Sequence, residues 1–99
     1  MRRDDVIARL KKVEPTIRAF GVGGLYLFGS VARDEAGKTS DIDLIVEPDD
    51  ASFYELEHSI GAYDVLAAAF PGIAIGYSTR RGLSRHILPD VDRDAIRVF

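Results

Sequence analysis

Residues 28 to 46 read FGSVARDEAGKTSDIDLIV. Leu25-Tyr26-Leu27-Phe28 leads into this stretch as a short apolar run, the pattern of a buried strand. Gly29-Ser30 follows, and 31–36 predict a short helix closed by Gly37, with 37–40 as loop. Ile42, Leu44 and Val46 then alternate with Asp41, Asp43 and Ile45, which predicts a strand that ends at Pro48. A glycine between strand and helix lets a ligand approach the backbone closely. Free amides at the helix start and the Ser30 hydroxyl suit a phosphate, although the dipeptide alone also fits a plain turn capped by serine. Asp41 and Asp43, two apart on a strand, share one face roughly 6.5–7 Å apart. Two such carboxylates can converge on a hard cation such as Mg²⁺, which shares its oxygen ligands with substrate phosphates. A solvated strand end is the simpler alternative, yet aspartate is disfavoured in strands and this pair opens into Ile42-Leu44-Ile45-Val46. Read together, the pieces describe one site: phosphates at the helix start, and a metal bridging them to the two carboxylates.

Working outward, Val6, Leu10, Val13, Ile17 and Phe20 recur at helical spacing. Pro15 predicts a break near Glu14 and a second short turn, ended by Gly21, with Gly23-Gly24 in the connection to the strand. On the other side, Ser52-Phe53-Tyr54-Glu55 reads as a capping box. Phe53, Leu56, Ile60, Tyr63, Leu66 and Phe70 predict one helical face, stopped by Pro71-Gly72. Residues 73–77 read as a strand and 83–88 as a short helix, while 92–99 fit either helix or strand. The fold class expected is α/β (α+β): a small mixed β-sheet with helices packed on it.

Ninety-nine residues predict one domain, 1–99, with a modest core. There is little room for both a catalytic site and a pocket enclosing a large substrate, so a protein partner or a homo-oligomer is expected. A hydrophobic fraction of 46% beside 29% charged residues excludes a disordered chain. The net charge of −3 argues against nucleic acid as partner. No cysteine is present, which excludes disulfides and thiolate metal sites. No apolar run approaches a membrane span and the N-terminus lacks a signal-peptide pattern, so no membrane role and a cytoplasmic location are expected. His58 and His86 lack ligand-spaced partners and read as ordinary histidines. Arg80, Arg81 and Arg85 read as a solvated basic loop. Tyr26, Tyr54, Tyr63 and Tyr77 fall at apolar-periodic positions and predict core packing.

Gly29-Ser30-Val31-Ala32-Arg33 and Ser40-Asp41-Ile42-Asp43-Leu44-Ile45-Val46 together resemble the signature of the nucleotidyltransferase superfamily of DNA polymerase β, and within it the minimal nucleotidyltransferases. Phe20-Gly21-Val22 up to Leu27-Phe28 resembles the family's first strand region. Ser78-Thr79-Arg80-Arg81-Gly82-Leu83-Ser84 resembles the segment after its third catalytic strand. The resemblance implies that Gly29 and Ser30 contact a nucleoside triphosphate, with ATP expected. It implies that Asp41 and Asp43 are catalytic and bind Mg²⁺. Arg33 matches a position that could assist with phosphate charge, although an ion pair with Asp34 or Glu35 fits it equally. The acceptor implied is a hydroxyl on a partner protein, since such chains serve as antitoxins paired with an α-helical HEPN-type toxin and some AMPylate its tyrosine. A small RNA- or antibiotic-modifying transferase fits less well with the acidic balance.

One departure qualifies the activity. The superfamily carries a third carboxylate on a later strand, and alignment on Thr79-Arg80-Arg81-Gly82-Leu83 places that position at Gly76. Glu47 shares the face of Asp43 but lies roughly 13 Å along the strand, and Asp64, Asp90 and Asp92 sit in other elements. The expectation is retained nucleotide binding with slow or absent transfer. The alternative is a non-enzymatic antitoxin that acts by contact.

Overall fold

The computed structural model describes residues 2–35, 37 and 41–99. Helix α1, Arg3–Lys12, has Asp4 and Asp5 in its first turn and Arg9, Lys11 and Lys12 in its last, each complementing the helix dipole. Pro15 has no N–H to offer α1, so the chain restarts as α2, Glu14–Ala19, with the proline in the first turn. Gly21, at φ +88°, then turns it into the sheet. The predicted break is therefore present.

Strand β1, Val22–Phe28, is longer than the apolar run indicated. Gly23 and Gly24 belong to it, and the register shifts between Val22 and Gly24. The glycines mark a bulge inside the strand, a signal that reads from sequence as a loop. After β1 come α3, Gly29–Ala32, and β2, Ile42–Pro48. A 3-10 turn, Ala51–Tyr54, precedes α4, Leu56–Ala69. Next are β3, Ile75–Thr79, a second 3-10 turn, Arg80–Gly82, helix α5, Leu88–Asp94, and β4, Ile96–Arg97.

The sheet order is β3-β2-β1-β4. β1 is antiparallel to both β2 and β4, whereas β2 and β3 run parallel. A parallel pair needs a crossover, and α4 supplies it. Leu25 and Leu27 of β1 and Ile42, Leu44 and Val46 of β2 are buried in one core with Val6, Leu10, Ile17, Leu66 and Phe70. By strand alternation Tyr26, Phe28, Asp43, Ile45 and Glu47 project from the opposite face. The mixed sheet expected from sequence is the one observed.

Several local expectations are corrected. The capping box does not form: Asp50 accepts from the Ser52 N–H at 2.7 Å, so the first turn is 3-10, and α4 starts four residues later. α4 buries Ala62 and Leu66, while Leu56 (72% exposed), Ile60 (49%) and Tyr63 (38%) face out. Tyr54 is also exposed, at 58%, and Tyr26 lies on the sheet face away from the core, so core packing holds for Tyr77 but not for Tyr26, Tyr54 or Tyr63. The strand read at 73–77 starts at Ile75, and the helix read at 83–88 begins at Leu88 with Pro89 in its first turn. Residues 92–99 hold the end of α5 and then β4, so both readings of that segment are partly realised.

Candidate functional site

The site begins where β1 hands over to α3. Phe28 is extended and Gly29 adopts φ +76°, a left-handed geometry that any Cβ would strain. Ser30 lies inside the helical turn rather than capping it, and no side chain caps the N-terminus of α3. The helix ends sooner than the expected 31–36. Asp34 turns left-handed at φ +58°, the Glu35 N–H donates to the Ser30 carbonyl at 2.8 Å, and the Asp34 N–H donates to Val31 at 3.0 Å. That is a Schellman closure with aspartate in the place usually held by glycine. Asp34 is held there because its Oδ1 accepts from the Arg3 N–H of α1 at 3.1 Å. Ala36 and residues 38–40, including the loop read at 37–40 and Ser40 of the motif, lie outside the described residues, save Gly37.

β2 brings Asp43 opposite Phe28 on one side and Gly76 on the other. A Cβ at Gly29 would overlap the Asp43 Oδ2, and one at Gly76 would lie 2.7 Å from its Oδ1. The Asp43 carboxylate thus rests between two glycine backbones, half-buried, and a side chain at either position would have to displace it. The position aligned with a third carboxylate is therefore Asp43's direct register partner on β3, and it carries no side chain. Asp41, just before β2, is exposed.

Burial pushes the Asp43 carboxyl above the usual carboxylate range, the nearby Asp41 charge adds to the rise, and Arg33 opposes it. Among the described residues nothing donates a hydrogen bond to the Asp43 carboxylate. The donor chemistry suits a hard cation: two oxygen-only groups, one of them half-buried and lacking a compensating positive contact. Among the described residues no cluster of three or more His, Cys, Asp or Glu is placed to hold a metal by itself. A cation here would depend on water or phosphate oxygens for the rest of its shell.

Arg33 is engaged by protein carboxylates. Its Nε donates to Glu35 at 3.2 Å and its Nη1 to Asp94 at 3.3 Å. The hydrogen bond that Arg33 donates to Glu35 raises the guanidinium pKa most, desolvation opposes it, and the bond to Asp94 and the charges of both carboxylates add to the rise. Of the two neighbours expected to pair with it, Glu35 does so, while Asp34 serves the helix end instead. Asp94 was not legible as part of this site, because 61 residues separate it from Arg33 and only the docking of α5 brings it there. A cavity of about 170 Å³ runs from Gly29 and Arg33 to Asp90 and Asp94. A larger one, about 340 Å³, lies further along the same sheet face by Tyr26, Ile45, Glu47 and Arg80. Glu47 is occupied there, accepting from the Tyr26 hydroxyl at 3.1 Å, and Arg97 donates to that hydroxyl at 3.2 Å. Arg80 pairs with Asp92 at 2.5 Å, so the basic loop is partly neutralised.

A strand, a glycine turn, one helical turn and two carboxylates at the entry to the adjoining strand make up the site. The chain belongs to the nucleotidyltransferase domain family, whose model matches residues 9–92. Among solved structures, a minimal nucleotidyltransferase is similar to it at 29% identity, covering 97% of this chain and 95% of that one, with a TM-score of 0.77. A toxin-antitoxin structure with AMP-PNP is similar in fold at 20% identity, covering 94% of this chain and 72% of that one, with a TM-score of 0.69. A mutant of the MntA-HpeT toxin-antitoxin shares the fold at 18% identity, covering 100% and 73%, with a TM-score of 0.64. No curated protein matches the chain significantly in sequence. No helix among the described residues is long and apolar enough to cross a membrane.

Proposed function

We propose that this chain binds Mg·ATP, or another Mg·NTP, and transfers its nucleotidyl group slowly to a hydroxyl on a partner protein, as the antitoxin of a toxin-antitoxin pair. The observation that carries the nucleotide reading is the Asp43 carboxylate seated against Gly29, at the uncapped start of α3, in a chain of the nucleotidyltransferase family. In this reading Asp41 and Asp43 hold the metal. Gly29 lets the triphosphate approach the backbone, and Ser30 donates to a phosphate oxygen. Magnesium, when bound, neutralises the phosphates and in a two-metal arrangement also activates the attacking oxygen. Arg33 balances charge from the site's edge while it stays paired with Asp94 and Glu35. The partner-protein reading is supported by the two toxin-antitoxin structures of the same fold, one of which contains AMP-PNP.

Transfer forms a bond from the acceptor oxygen to the α-phosphorus, breaks the α–β phosphoanhydride and releases pyrophosphate. The acceptor proton must leave. Gly76 offers no carboxylate to take it or to hold a second metal, and the absence of a base costs about 10²–10⁴ in rate. The same register of Gly76 beside Asp43 favours a second reading, in which the chain keeps the pocket and neutralises its partner by contact alone.

Intact-mass measurement decides between them. The protein, purified with its co-purifying partner, is incubated with Mg·ATP beside an Asp43→Asn control. A nucleotide-sized gain on the partner, absent in the control, establishes transfer. No gain, with Mg·ATP binding intact by titration, establishes the contact-only antitoxin. No Mg·ATP binding by the wild type would refute both.

A further inference from the structure

The outer face of α4 carries a stripe that its own fold leaves uncovered. Leu56, Ile60 and Tyr63 stand at i, i+4 and i+7, so their side chains form one continuous ridge. All three are exposed, as is Tyr54 in the preceding turn. The aromatic part is anchored from below. Tyr63 packs on Tyr77 with ring centroids 5.8 Å apart, Tyr77 on Phe53 at 6.3 Å, and Phe53 on Tyr54 at 5.6 Å. An apolar ridge of rigid side chains loses little conformational freedom on being covered, which favours binding.

The charged side chains that α4 itself carries are all acidic, Glu57 and Asp64. Between Lys38 and Arg80 the sequence holds five Asp and three Glu and no Lys or Arg. Glu57 and Asp64 border the ridge directly on α4, and neither makes an ion pair with a described residue.

We propose that the α4 ridge is the docking surface for a partner protein that presents an apolar helical stripe flanked by lysine and arginine. Charge complementarity selects this occupant. A second copy pairing through the same ridge would set Glu57 and Asp64 of both chains against one another, and like charges across an interface are strongly disfavoured. The surface lies on the opposite side of the sheet from Asp43, because α4 packs with Leu44 and Val46 while Asp43 projects the other way. A partner held here leaves the carboxylates open. It also lies beside β3, the edge strand that carries Gly76. The inference rests on the ridge and its charge, and needs no nucleotide chemistry.

The test uses two fluorescein-labelled synthetic helical peptides with the same leucine and isoleucine stripe, one flanked by Lys and Arg, the other by Glu. Fluorescence anisotropy against the full chain should show the basic peptide binding at least about tenfold more tightly than its acidic twin. That binding should weaken as salt rises. Ile60→Glu should abolish it with unchanged circular dichroism and unchanged Mg·ATP titration. The surface double variant Glu57→Lys with Asp64→Lys should reverse the preference, which keeps the test intact if Ile60→Glu misfolds. Equal affinity for both peptides, or none for the basic one, would overturn the proposal. So would a wild-type dimer in sedimentation equilibrium that Ile60→Glu dissolves, since the occupant would then be a second copy. Absence of Mg·ATP binding by the wild type would sink the nucleotide reading and leave the peptide result standing.

Discussion

Replacing Gly29 with alanine should disturb this protein in two separable ways, and Gly72 provides the control. Both residues are left-handed, Gly29 at φ +76° and Gly72 at φ +78°. An alanine Cβ at Gly72 would meet nothing within 4 Å, so Gly72→Ala carries only the backbone penalty, about 1–2 kcal/mol. At Gly29 the new methyl overlaps the Asp43 carboxylate, which must swing away from a half-buried seat. Overpacking of that kind adds about 1–3 kcal/mol, so Gly29→Ala should cost about 2–5 kcal/mol in all. Asp43→Ala removes the overlapping oxygens, although the Cβ of residue 43 stays 3.3 Å from the new methyl. In that background Gly29→Ala should fall back towards the Gly72→Ala level, a coupling of about 1–3 kcal/mol. Urea unfolding of the wild type, the three single variants and the double variant, followed by circular dichroism, measures every term. If Gly29→Ala costs no more than Gly72→Ala, or if Asp43→Ala brings no relief, the carboxylate is not seated on Gly29 and the geometry argued for the site is wrong.

Asp43 also makes a pH prediction. Its folded pKa is raised above 3.8, so its stabilising contribution is complete below that value and is lost as pH rises through the raised one. At neutral pH the charged carboxylate therefore opposes folding, and Asp43→Asn should stabilise the metal-free protein there, with the gain fading towards about pH 4. Denaturation midpoints at neutral and acid pH check this; a gain that persists in acid contradicts it. Added Mg²⁺ with ATP should raise the melting temperature of the wild type and leave that of Asp43→Asn nearly unchanged, because only a ligand of the folded state stabilises it. Gly76→Asp should speed transfer to the co-purifying partner by up to about 10²-fold in the intact-mass assay. The new Cβ sits 2.7 Å from Asp43 Oδ1, a mobile side-chain end that can rotate away. A variant that binds Mg·ATP yet transfers no faster than wild type would remove Gly76 as the cause of slow chemistry.

Much of the site's frame is legible in the sequence. The Gly29-Ser30 turn and the Asp41-x-Asp43 entry to β2 depend on local spacing, the family resemblance points to Gly76 as the empty position, and parallel register sets Gly76 directly beside Asp43. What misled were signals whose meaning depends on neighbours. Gly23-Gly24 looks like a loop until β2 pairs with it across a bulge. Asp34, an ordinary polar residue in sequence, ends α3 because Arg3 of α1 reaches it. The capping box at Ser52 lost to Asp50, which offers a shorter route to the same amide.

The periodicity of apolar residues, Pro15 and the glycine turns determined by themselves that this chain builds a mixed sheet with helices. The reason is that 3.6- and 2-residue repeats bind each segment to a secondary structure before any packing occurs. They also determined the order in which the nucleotidyltransferase motif meets the sheet. Only the tertiary structure decided which part of the apolar face read for 53–70 is buried. Leu56, Ile60 and Tyr63 carry the same helical spacing as Leu66 and Phe70, yet α4 can turn only one side to β2 and β3, and it leaves the ridge outside. Likewise Asp94 joins Arg33 solely because α5 folds back over α3, a contact between distant segments to which no local spacing points.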